Sequence, residues 1–135
     1  MVHATQGPAP YRIDIVAGGH ALVADEGPKL GGQDAGPGPF DLVVSGLAAC
    51  TLITLRMYAE RKGWGEVKVY GRLRHRMEGG QHLIDRQLEV SGAPDAAAVQ
   101  RLREIAERTP VTLALKAGFT ISTELTQTAD AGSAT

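Results

Sequence analysis

Only one cysteine, Cys50, occurs in the 135 residues, which excludes an intrachain disulfide and a zinc site built from several cysteines. Charge of one sign is also lacking. The 14 Lys and Arg nearly balance the 15 Asp and Glu, leaving a formal net charge of -1. The basic residues are scattered, so the footprint expected of a nucleic-acid or anionic-membrane partner is missing. Met1 to Pro10 is polar and proline-bearing, without the basic stretch and apolar run of a signal peptide; a cytoplasmic location is expected. The uncharged stretch Leu42–Leu55 is shorter than the about 20 residues of a bilayer span. The histidines His3, His20, His75 and His82 stand apart from one another and from acidic clusters, so no metal site is expected. Gly18-Gly19 and Gly31-Gly32 match neither a Walker nor a dinucleotide fingerprint. No cofactor is expected.

What is present is one compact pattern. The length suits a single domain over residues 1–135, with about 1–9 and 126–135 expected to be frayed. Tyr11, Ile13 and Ile15 alternate with Arg12 and Asp14, Gly18-Gly19 turns the chain, and Ala21–Asp25 returns, which predicts a β-hairpin. From Glu26 to Pro39 glycine and proline are dense, a loop of the length that is often functional. A second hairpin is predicted from Val67–Arg76 and His82–Val90, with Val67, Val69, Gly71, Leu73 and His75 on one face and Ile84, Leu88 and Val90 inward on the return strand. Pro94-Asp95 opens an amphipathic helix with Val99, Leu102, Ile105 and Ala106 at helical spacing, ending near Thr109-Pro110. A short apolar turn, Val111–Leu115, then precedes a closing strand, Phe119–Leu125. Hairpin, helix, hairpin, helix and strand together predict an α+β fold.

Between the hairpins, Asp41–Lys62 reads as a central helix stopped by Gly63, apolar or small on every face along Leu42–Leu55 and therefore buried. Asp41 lies in its first turn, where a carboxylate complements the helix dipole. Cys50 sits within the apolar stretch. A free cysteine there is either an inert core residue or a nucleophile, and the residues alone leave both readings open.

Three segments carry a resemblance. Gly36-Pro37-Gly38-Pro39-Phe40-Asp41-Leu42, Leu47-Ala48-Ala49-Cys50-Thr51 and Thr54 through Gly63 resemble the central helix of the OsmC/Ohr family. Ile105-Ala106-Glu107-Arg108-Thr109-Pro110-Val111, followed by Gly118, is similar to the family's second signature. The resemblance implies an OsmC-like fold, an intertwined α/β homodimer with the reactive cysteine near the subunit interface. It makes Cys50 the candidate peroxidatic residue. In the family chemistry a thiolate attacks an organic hydroperoxide, becomes a sulfenic acid, and is captured by a second cysteine whose disulfide an external dithiol reduces.

The chain departs from that pattern at the supporting positions. Thr109 stands where the resolving cysteine is expected, and Phe40 where the best-characterised branch has its glutamate, with Asp41 beside it. His20 lies near the expected arginine, and Arg56 is a further cation beyond Cys50. The catalytic candidates are thus Cys50, Asp41 and His20; Phe40 and Arg56 are binding candidates. Two functions follow from the resemblance. One is a one-cysteine thiol peroxidase that takes small organic hydroperoxides and an external thiol reductant. The other is a non-catalytic homodimer binding a small hydrophobic ligand at its interface. A homodimer is expected in both, since a chain this small struggles to cover a helix apolar on all sides.

Overall fold

The structure, a computed structural model, describes residues 1–129. The described residues fall into two compact units, residues 1–39 with 120–129, and residues 40–119.

In the first unit β1 (Val2–Gln6), β2 (Ile13–Ala17) and β3 (His20–Ala24) form an antiparallel sheet in that order. The predicted hairpin is β2–β3. Gly18 and Gly19 both have positive φ, 57° and 85°, as a two-residue turn between twisted strands requires. The frayed start expected over residues 1–9 is corrected by β1, which pairs with β2 from Val2↔Ala17 to Gln6↔Ile13. Every residue of β1 is exposed, so backbone bonds hold it and no apolar alternation marks it in the sequence. The glycine-rich loop is tied down by Asp25, only 3% exposed. One carboxylate oxygen accepts the Glu26 N–H at 2.7 Å; the other accepts those of Gln33 at 3.2 Å and Ala35 at 3.1 Å. These bonds, Ala35's foremost, hold the Asp25 carboxyl below its ordinary range.

The closing strand expected over Phe119–Leu125 does not form: the backbone over residues 118–129 has no regular structure, and Phe119, Ile121 and Leu125 are exposed. A strand needs a ladder partner, and this segment finds none within the described residues. Of the terminal segment 126–135, residues 130–135 lie outside the described residues.

The second unit carries the central helix, α1 (Pro39–Arg61), which starts on the last proline of the Gly-Pro run. Its end is a Schellman cap: the Trp64 N–H donates to Ala59 O, the Gly63 N–H to Glu60 O, and Gly63 has φ 68°. The hairpin β4 (Lys68–Glu78) and β5 (Gln81–Ser91) pairs from Lys68↔Ser91 to Glu78↔Gln81 around Gly79-Gly80. α2 (Ala96–Ala106) is capped by the Asp95 carboxylate, which accepts the Ala98 N–H at 2.8 Å. A third helix, α3 (Pro110–Ala117), replaces the apolar turn predicted at Val111–Leu115.

The core joins Leu55 and Ala59 of α1, Val67, and Leu102 and Ala106 of α2, with Val69, Leu88 and Val90 of the hairpin packed against it. A Cβ at Gly71 would crowd the hairpin's own leucines, Leu88 at 3.2 Å and Leu73 at 3.3 Å, and would lie at ordinary contact distance, 3.4 Å, from Leu52 of α1. The expectation of a helix buried on every face is corrected. Within the chain α1 buries one stripe, Val44, Leu47, Thr51, Leu55 and Ala59, at the i, i+3, i+4 spacing of a single face. Val43, Ile53 and Met57 are about half exposed. The helix also reaches beyond the uncharged stretch Leu42–Leu55: its 23 residues are long and apolar enough to cross a membrane by length and composition, and its buried stripe is packed on protein.

Candidate functional site

Cys50 is partly buried on α1. Its sulfur accepts the backbone N–H of Val111 at 3.5 Å and lies 4.0 Å from the Thr54 hydroxyl one turn on. Val111 belongs to the first turn of α3, where unpaired N–H groups and the helix dipole favour negative charge. The proline explains the local geometry. Pro110 ends any continuation of α2 and occupies the first helical position of α3, so the chain turns sharply and presents its next N–H to the sulfur.

Thr109 caps that turn and is fully buried. Its hydroxyl makes a 2.6 Å hydrogen bond with the Thr112 hydroxyl rather than with a helix N–H. The structure thus brings the Thr109-Pro110-Val111 segment to Cys50 across 61 positions of sequence.

Asp41 and Arg56 are placed away from the sulfur on the same helix. Asp41 is exposed in the first turn of α1, nine residues before Cys50; at about 1.5 Å rise and about 100° per residue it lies roughly 13 Å away along the axis and on the opposite face. Arg56 is exposed and donates to Glu60 at 2.8 Å, an (i, i+4) surface pair. Phe40 stacks on His75, ring centroids 3.9 Å apart. His20 is exposed at the start of β3 in the first unit.

The cation that does approach the cysteine's neighbourhood is Arg86, whose side chain is 12% exposed. It donates to the Thr51 hydroxyl at 2.9 Å, to the Thr112 hydroxyl at 2.9 Å and to the carbonyl of Ala106 at 2.9 Å. Glu107 lies 3.7 Å from the guanidinium. The Glu107 carboxyl is held below its ordinary range first by its hydrogen bond to Lys116, with Arg86 adding to the effect. Arg86 therefore clamps α1, the end of α2 and the start of α3 together from β5. Sequence reasoning missed it, although a signal exists: Arg86 stands at the inward position between Ile84 and Leu88, where the alternation calls for an apolar residue.

The histidines, isolated in sequence, are not all isolated in space. His75 Nε2 and His82 Nδ1 lie 2.8 Å apart.

A cleft of about 1090 Å³ opens over the Arg86 clamp, lined among others by Leu47, Leu73, Leu83, Arg86, Thr112 and Leu115. Chemically the site offers a single thiol with one peptide donor at the sulfur; the cleft of mixed polarity is lined by the Arg86 clamp and not by Cys50 itself.

The family model of OsmC-like proteins matches residues 31–124. No curated protein matches the sequence significantly. Among solved structures, similarity extends to an organic hydroperoxide resistance protein OsmC from Legionella pneumophila (17% identity, 86% of this chain and 88% of that one, TM-score 0.62). It extends also to an OsmC-like protein from Mycoplasma pneumoniae (19%, 86% and 86%, TM-score 0.65). A Psychrobacter arcticus protein named for osmotic stress induction and a detoxification response aligns at 15% identity over 83% of this chain and 85% of its own, with a TM-score of 0.71. At these identities the likeness is one of fold.

Proposed function

The chain belongs to the OsmC-like protein family, and from that premise we propose that it is a one-cysteine thiol peroxidase in which Cys50 reduces organic hydroperoxides. The observation that carries this reading is the Val111 N–H directed at the Cys50 sulfur at 3.5 Å, a donor suited to a thiolate. The hydroperoxide resistance protein of the same fold adds support.

The thiolate of Cys50 attacks the terminal oxygen of the hydroperoxide. The S–O bond forms as the O–O bond breaks, the alkoxide takes a proton and leaves as the alcohol, and Cys50 becomes a sulfenic acid. Thr109 cannot resolve it, so an external thiol condenses with the sulfenic acid, releasing water and leaving a mixed disulfide. A second external thiol attacks that disulfide, returns Cys50 to the reduced state and departs as the oxidised reductant. A reducing cytoplasm would supply such thiols. The protein works in this reading as a homodimer, with the second copy covering the outward apolar face of α1.

The test is peroxide consumption. The protein with cumene hydroperoxide and a thiol should consume peroxide, Cys50 should become trappable by a sulfenic-acid reagent, and Cys50→Ser should abolish turnover. Without the thiol, Cys50 should pass on to sulfinic acid. A second reading, a non-catalytic binder of a small hydrophobic ligand, draws on the loss of the resolving cysteine at Thr109 and on the cleft beside the clamp. A thiol that hydroperoxide leaves untouched, in a protein that binds an apolar probe, would favour it.

A further inference from the structure

We propose that Arg86 is a positioning residue for the Cys50 chemistry: through Thr51 and Thr112 it holds the Val111 N–H at the Cys50 sulfur. Its worth to catalysis rests on the peroxidase reading of Cys50. Among the described residues the buried hydroxyls are Thr51, Thr109 and Thr112, and all three join one network around the Arg86 guanidinium. Thr51 follows Cys50 on α1, and Thr112 follows Val111 on α3. Arg86 Nη1 donates to both hydroxyls at 2.9 Å. One trigonal nitrogen therefore spans the two helices, one residue along from the 3.5 Å contact between the Val111 nitrogen and the Cys50 sulfur. The two links run side by side. One is a pair of charge-assisted bonds, the other a weak bond to sulfur, so the strong link sets the length of the weak one.

Counting protons gives the network a single arrangement. A threonine hydroxyl has one proton and two lone pairs. Thr51 gives its proton to the Leu47 carbonyl at 2.7 Å, which leaves its lone pairs for Arg86. Thr112 gives its proton to the Ala106 carbonyl at 3.3 Å and accepts from Arg86. In its 2.6 Å bond with Thr109 it is then the acceptor and Thr109 the donor. That uses every bonding position of the Thr112 hydroxyl. Arg86 Nη2 donates to the same Ala106 carbonyl at 2.9 Å, which ties the end of α2 into the frame. Pro110 has no N–H, so the Val111 amide is the first that α3 offers after Thr109, and it is pinned by the hydroxyls on either side. A displacement of about 1 Å is enough to lose a bond to sulfur, and errors of that size cost up to about 100-fold in rate.

The experiment compares the full chain with Arg86→Met, Arg86→Lys, Thr112→Val and, as a core truncation outside the network, Val67→Ala. Circular dichroism sets conditions under which each variant is folded. The first readout is the Val111 amide signal in the NMR spectrum, with Cys50→Ala marking where that signal lies when no sulfur is present. Arg86→Met and Thr112→Val should move it toward the Cys50→Ala position, Arg86→Lys should move it less, and Val67→Ala should leave it in place. The second readout is the rate constant for oxidation of Cys50 by cumene hydroperoxide. It should fall roughly tenfold in Arg86→Met and Thr112→Val, be partly restored in Arg86→Lys and be unchanged in Val67→Ala. Thr112→Val keeps the test decisive if Arg86→Met does not fold. A wild-type thiol that the hydroperoxide leaves untouched would remove the proposed function, while the amide signal would still decide whether Arg86 holds the contact. An amide that stays in place in the Arg86 and Thr112 variants would overturn the positioning role. So would an unchanged oxidation rate where the amide has moved, or a loss of rate that Val67→Ala reproduces.

Discussion

Arg86 carries a charge where an apolar side chain would ordinarily sit, and its three hydrogen bonds to Thr51, Thr112 and Ala106 are what make that tolerable. Among the described residues no buried side-chain nitrogen or oxygen lacks a partner. Arg86→Met leaves the Thr51 and Thr112 hydroxyls and the Ala106 carbonyl short of a donor, and urea denaturation should register a loss of about 2–4 kcal/mol. Arg86→Lys keeps the charge but not the fork, so it should recover less than half of that loss. Alkylation of Cys50 should change in rate in both variants, because the clamp fixes the start of α3. Asp25 acts at the same scale by charge. Its folded carboxyl is held below the ordinary range, chiefly by the Ala35 N–H. Its contribution to stability is therefore fully present above the unfolded value of about 3.9 and is lost as pH falls from there through the folded value. Asp25→Asn should lower stability at neutral pH and flatten the acid limb of the stability profile. An unchanged acid limb would show that Asp25 does not tie the loop.

At the scale of elements, local chemistry was legible and partnership was not. The double glycines at 18–19 and 79–80 marked both hairpins. Asp95 marked the start of α2, Gly63 the end of α1, and the Cys50 segment its family. What the pattern could not reveal was anything depending on distant backbone. β1 has no buried residue and so no periodicity to read. The stretch 119–125 alternates well, yet has no strand to pair with among the described residues. α3 escaped because a single apolar turn and an eight-residue helix look alike when they are this short. The pairing of His75 with His82 needs the hairpin register, and the approach of Val111 to Cys50 needs the whole unit. That approach supplies a direct test. Thr109→Cys replaces a fully buried threonine by a side chain of similar size two residues before the N–H that touches the sulfur. Hydroperoxide treatment of this variant should yield an intramolecular disulfide between Cys50 and the introduced thiol, protect Cys50 from sulfinic acid and make turnover depend on a dithiol. A disulfide needs Cα atoms roughly 4.4–6.8 Å apart. If the sulfenic acid forms at Cys50 and no disulfide follows, the two positions do not converge and the family mechanism does not transfer.

For the molecule as a whole, the apolar surface left over matters as much as the core. Val43, Ile53 and Met57 on α1, and Phe119, Ile121 and Leu125 farther on, are exposed by 45–95%. The proposed second copy would cover them, and sedimentation should find dimers at micromolar concentration; monomers there would remove the proposed assembly. A folded state that needs a partner obeys mass action, so the midpoint of thermal unfolding should rise with protein concentration, and a midpoint independent of concentration would point to a chain complete by itself. The open alternation after Gly118 then sets a rule for the cell as well as for the test tube. In the proposed assembly, chains made singly would carry the alternating segment 119–125 unpaired, a segment of the kind that joins the wrong neighbour as readily as the right one, so scarcity itself would act as a denaturant.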